Sequence, residues 1–179
     1  MTTRLAIALA ATLGLAMPAY SQAATPATQA AQAANPFFAE SPLPLHYPQF
    51  DKIKDSHFAP AFDAGMAEQL KEIEAIANNA DAPTFDNTVI PMEKSGQVLD
   101  RATTVFFALV GADTNKDREK LQGEYSTKFA AHSDAISLNG KLFARIKALY
   151  DSRDTLGLDA QSVRLIERYH TSFVRSGAN

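Results

Sequence analysis

Large apolar residues recur at three- and four-residue steps over most of the chain beyond residue 56, which is a helical period. Phe58, Phe62, Met66, Leu70, Ile73 and Ile76 form one stripe, while Asp63, Glu68, Lys71, Glu72 and Glu74 take the other faces. The spacing predicts an amphipathic helix capped by Ser56 and stopped at Asn78-Asn79. A second helix is expected from a cap at Asp86 or Asn87 to about Val110, with Pro91 tolerated near the first turn and Gly111 ending it. Its apolar set is Ile90, Val98, Leu99, Ala102, Val105, Phe106 and Leu109. A third starts at Thr114 or Asn115 and runs to about Ala135, with Leu121, Tyr125, Phe129, His132 and Ile136 on one face. Asn139 caps a fourth over 141–151, striped by Leu142, Phe143, Ile146, Leu149 and Tyr150. Asp159 caps a fifth through Val174, with Val163, Ile166, Tyr169, His170 and Phe173 inward and Gly177 as a C-terminal stop. No alternating strand pattern and no fixed-period repeat interrupts this. The expected fold class is all-α, antiparallel helices joined by short turns.

The start of the chain follows another pattern. After a basic opening at Arg4, residues 5–17 are apolar and small, broken at Pro18, and two small-x-small sites follow at Ala19-Tyr20-Ser21 and Ser21-Gln22-Ala23. That run is too short for the roughly 20 residues of a bilayer span and fits a cleaved secretory signal over residues 1–23. A periplasmic location follows as an expectation, with no membrane contact once the signal is removed. Residues 24–34 are an uncharged Ala/Gln-rich tether with nothing to bury, expected to be disordered. Residues 35–56 carry Pro36, Pro42, Pro44 and Pro48, which hold a chain extended. Phe37, Phe38, Leu43, Leu45 and Tyr47 make this stretch too apolar for a free linker, so an extended arm packed on the domain is expected. Residues 57–179 form the helical domain.

Composition narrows the chemistry more than it names it. The 179 residues include 17 basic and 20 acidic side chains, for a net charge of −3, and no cysteine. Disulfides, thiolate zinc sites, cysteine nucleophiles and iron–sulfur clusters are thereby excluded. The mildly acidic balance leaves no electrostatic footprint for nucleic acid. None of the four histidines (His46, His57, His132, His170) is followed by Glu, and no two stand at i, i+4, the spacing that brings two imidazoles to one metal. Each reads as a structural or surface histidine. Asp113-x-Asn115-x-Asp117 has the opening of a calcium loop, with Glu124 at the twelfth position, but Arg118 replaces the glycine needed at the sixth. Glu68, Glu72 and Glu74 read as a solvated helix face, and Phe106-Phe107 as core. There is no glycine-rich phosphate loop and no G-x-S-x-G turn. No catalytic, cofactor-binding or metal-binding residue is identified.

Several blocks in order carry a resemblance. NPFF (35–38), FDKIKDSHFAPAFDAGMAEQLKEIEAIANN (50–79), PTFDNT (83–88), PMEKSGQVLDR (91–101), VFFALVGADTN (105–115), AAHSDAISLNGKLFARIKALY (130–150) and LIERYHTSFVRSGA (165–178) together resemble the N-terminal region of thimet-oligopeptidase-like zinc metallopeptidases. Within that family they are most similar to bacterial peptidyl-dipeptidases and the related oligopeptidase A. The resemblance implies an all-α, prolate, two-lobed fold around a channel that admits short peptides. It also implies zinc held by an H-E-x-x-H helix and a later Glu, all in a C-terminal half that this sequence does not contain. The chain therefore reads as truncated: the wall of a channel, inactive alone, whose partners would be short peptides and the missing catalytic half. A non-catalytic helical module that binds peptides is the second reading. An isolated wall should also leave an apolar patch exposed at Phe106, Phe107, Ile166 or Phe173.

Overall fold

Phe58–Ala77 (α1) is the spine of the domain, because its two halves enter two different cores. The computed structural model describes residues 35–178; the signal at 1–23 and the tether at 24–34 lie outside the described residues. Ile90–Lys94 (α2), Gln97–Ala112 (α3), Lys116–Ser137 (α4), Gly140–Ser152 (α5) and Ala160–Ser176 (α6) follow, and no strand occurs among the described residues. The all-α expectation holds.

The first half of α1 puts Phe58, Ala61 and Phe62 into an aromatic core with Phe37, Ala102, Val105, Phe106 and Tyr125. Phe62 lies within 5.0–5.2 Å of the rings of Tyr125, Phe129 and Phe106, tilted or edge-on as their quadrupoles prefer. Each such ring, once buried, contributes about 1.5–3 kcal/mol from area alone. The second half of α1 puts Ile73, Ile76 and Ala77 against Val89, Met92, Leu142, Ile146, Leu149 and Ile166. Between the halves, a Cβ on Gly65 would stand 2.7 Å from the backbone nitrogen of Leu99, so the bare glycine sets how closely α1 and α3 approach.

Three helices begin where the capping residues predict. Asn115, Asn139 and Asp159 accept hydrogen bonds from the amides of Arg118, Leu142 and Gln161/Ser162. Gly177 ends α6 at φ +97°, a left-handed stop.

Two expectations need correcting. Ser56 does not cap α1: a 3-10 turn at Asp55–His57 leads into the helix, and His57 Nδ1 accepts the amide of Lys54 at 3.1 Å. The second expected helix is also not continuous. Thr84 starts it instead of Asp86 or Asn87, through a reciprocal pair with Asn87 (2.8 and 3.1 Å), and the first turn is a wide π turn over Phe85–Val89. The chain then breaks at Ser95-Gly96, with Gly96 at φ +74°, before α3 resumes. The helical period survives on both sides of the break, so periodicity could not show it. Its cause lies in α1, where Glu72 takes the Gly96 amide at 2.7 Å.

The stretch 35–56 is pinned at both ends and free in the middle. Asn35 donates to the His57 carbonyl at 2.9 Å, Arg101 donates twice to the Phe37 carbonyl, and Asp55 meets Arg118 at 2.7 Å. Leu45 and Tyr47 stand in solvent. Leu45 and His46 are both left-handed, at φ +56° and +55°.

Candidate functional site

The break at Ser95-Gly96 opens a hollow of about 720 Å³ between α3 and α4, floored by α1. Leu99, Asp100, Thr103 and Phe107 line it from α3, Phe129 and His132 from α4, Gln69 from α1, and Glu93 from α2. Gly96 belongs to the construction of this floor, since a Cβ there would fall 2.4 Å from the Gln69 amide.

His132 is the chemically distinctive group. It is 9% exposed, and its Nε2 lies 2.7 Å from Gln69 Oε1. An amide oxygen only accepts, so Nε2 carries the proton and donates. Nδ1 is then the bare acceptor, and among the described residues this buried nitrogen has no hydrogen-bond partner. Burial also pushes the His132 pKa below the ordinary histidine value, which keeps Nδ1 unprotonated. A buried acceptor without a donor costs free energy, and this one borders a cavity large enough for a ligand.

The walls are aromatic and acidic. Phe107 is 47% exposed, its ring 6.4 Å from that of Phe129. Of the four residues expected to form an apolar patch, Phe107 is the exposed one; Phe106, Ile166 and Phe173 are buried in the described chain. Glu93 and Asp100 supply two carboxylates, and Glu93 accepts the hydroxyl of Tyr169. Asp100 also borders a second, smaller hollow of about 250 Å³ between α3 and the 35–56 stretch, where Phe37, Ile53 and Val105 form an apolar lining.

The other histidines serve the scaffold or the surface. His170 stacks on Tyr150 at 3.8 Å and near Phe143 at 5.7 Å. His57 closes the turn before α1, and burial followed by the charge of Lys54 lowers its pKa. His46 lies exposed, 3.5 Å from Glu40. The acidic run at 113–117 has a structural use: Asn115 caps α4 and donates to Asp55, while Arg118 pairs with Asp55 at 2.7 Å and with Asp113. The imidazoles are dispersed, and no three His, Asp or Glu side chains converge among the described residues. No described helix is long and apolar enough to cross a membrane.

Sequence reasoning placed His132 on an inward face, yet missed what distinguishes it. Gln69 stands 63 positions away and carries no pattern of its own. Arg145 was missed as well. It is buried on α5 and donates to Thr88, Asn87 and the carbonyls of Asn79 and Asp81, at 2.8–3.2 Å.

Comparison with known proteins supports the resemblance seen in the sequence blocks. The chain is 46% identical over 144 residues to proteins named dipeptidyl carboxypeptidase from Escherichia coli and from Salmonella typhimurium. The match covers 80% of this chain and 21% of each relative, so the chain spans about a fifth of the length of the curated relatives it matches. No family model matches the chain.

Proposed function

We propose that this chain is a structural part of a peptidyl-dipeptidase, a zinc-dependent enzyme that removes C-terminal dipeptides from short peptides, and that its helices form a wall of the peptide channel. The observation that carries the reading is the 46% identity, sustained over 144 residues, to proteins named dipeptidyl carboxypeptidase. Its supports in the molecule are architectural. Two cores hung on one helix make a stiff slab, and the slab presents an open, acceptor-lined hollow wide enough for an extended peptide.

The residues present do not fit a zinc site. His57 and His170 are committed to backbone and stacking contacts, His46 faces solvent, and His132 has no second imidazole or carboxylate with which to share a metal. No chemical step is therefore assigned to these side chains; the wall's part is to exclude folded proteins and to hold a short peptide in line. Export to the periplasm through the signal at residues 1–23 belongs to the same proposal.

The test is the native polypeptide taken from source cells. Its intact mass, zinc content and products from a blocked tetrapeptide are measured together. A species several times longer, with about one zinc and release of C-terminal dipeptides that a chelator abolishes, is expected. A metal-free species of about this length that binds peptides and leaves them intact would overturn the proposal in favour of a non-catalytic module.

A further inference from the structure

The hollow between α3 and α4 has a lining of one sign. Its two ionised groups are Glu93 and Asp100, and no Lys or Arg is among the residues that border it. The basic side chains nearest on the same helices are engaged elsewhere. Arg101 donates both Nε and Nη2 to the Phe37 carbonyl, and Lys128 lies over the Tyr125 ring at 4.1 Å, near Glu124. The floor adds the unpartnered Nδ1 of His132, an acceptor in a residue more than nine-tenths buried. The two rings beside it, Phe107 and Phe129, are tilted 57° to one another. Acceptors at the bottom and rim with aromatic faces between them suit a cation carried on an apolar stem, which the rings attract through their quadrupoles.

We propose that this hollow is a subsite for a lysine or arginine side chain of an extended peptide. The charged head reaches Asp100, Glu93 and the Nδ1 of His132, and the methylene stem lies against Phe107 and Phe129. Selection works by charge complementarity, because an acidic side chain would meet two carboxylates and a lone pair with nothing to neutralise it. The idea names a preference within the peptide-wall reading, and its test needs no catalysis, so the two can fail separately.

Titration calorimetry on the purified chain decides it. The probes are two pentapeptides, acetylated and amidated to remove terminal charges, of sequence Ala-Ala-X-Ala-Ala with X either lysine or norleucine. The lysine peptide should bind roughly tenfold more tightly, about the worth of one charge-assisted contact. Asp100→Asn should remove most of that ratio, and Phe107→Ala should weaken both peptides. Both side chains are exposed, so circular dichroism melting curves close to those of the parent are expected for each variant. Equal affinity for the two peptides, or a lysine preference that survives Asp100→Asn, would overturn the proposal. So would tighter binding of an unacetylated norleucine peptide, which would make a peptide N-terminus the ligand. Failure here would leave dipeptide release by the native polypeptide to be judged by its own assay.

Discussion

Arg145 and His132 are both buried, and they spend their polar atoms in opposite ways. Arg145 sits under the segment 79–88, where four donor–acceptor contacts tie that segment to α5. All its partners are neutral, two of them backbone carbonyls, so the guanidinium is a clamp for a loop that has no regular ladder of its own. His132 has one contact to Gln69, and its second nitrogen is left over. The first region is closed by its own hydrogen bonds, and the second is open on the side of the hollow. A buried polar group whose partners are complete explains itself as scaffold; one that is half complete points to what comes from outside.

The largest effect expected is at the clamp. Arg145→Met keeps the stem and strands two carbonyls and two side chains, and should cost about 3–5 kcal/mol, the usual price of breaking a buried polar cluster on one side. The midpoint of urea unfolding reads it, and a loss under about 1 kcal/mol would mean that the Thr84–Asn87 pair holds the segment unaided. Gly96→Ala comes next, at about 1–3 kcal/mol for a non-glycine residue held at positive φ. It must also displace Gln69, so the nitrogen signals of His132 should shift in this variant and stay put in Arg145→Met.

The pH dependence separates the regions further. With its folded pKa below the ordinary 6.5, His132 takes its proton more readily in the unfolded chain. Stability should therefore fall as pH drops through about 6.5 toward the folded value, and be unaffected above it. His57 has the same sign, so His132→Gln should reduce the slope without abolishing it. The carboxylates of Glu93 and Asp100 face the hollow from α2 and α3, and Glu72 lies one turn from Gln69 on α1; burial outweighs their attraction for a proton on the ring. An unchanged slope in His132→Gln would place the titration elsewhere. The smallest effect belongs to Lys147→Ala, two residues from the clamp and paired in solvent with Asp151. It should cost less than about 0.5 kcal/mol, which separates a surface ion pair from a buried one on a single helix.

What could be read from the sequence follows the same division. Spans and caps at Asn115, Asn139, Asp159 and Gly177 are local chemistry, and they appear where the pattern puts them. The break at Ser95-Gly96 is tertiary in origin, since Glu72 reaches the Gly96 amide from 24 positions away. Arg145 sits on a helix whose apolar stripe was plain, but an arginine one residue from Ile146 reads as solvated until the loop it holds is known. The hollow was the least visible of all. Its lining comes from four helices, and its one signal, a histidine on an apolar face, is shared with His170, which proves to be a stacking residue.

The chemistry of the hollow rests on one nitrogen, and imidazole nitrogen NMR of the labelled chain observes it directly. At neutral pH, His132 should show a proton on Nε2 and a bare Nδ1, with a titration midpoint below that of an exposed histidine such as His46. Addition of the lysine pentapeptide should move the Nδ1 signal, and the norleucine peptide should move it far less. A doubly protonated ring at neutral pH, or a proton on Nδ1 with Nε2 bare, would contradict the hollow as an acceptor-lined site.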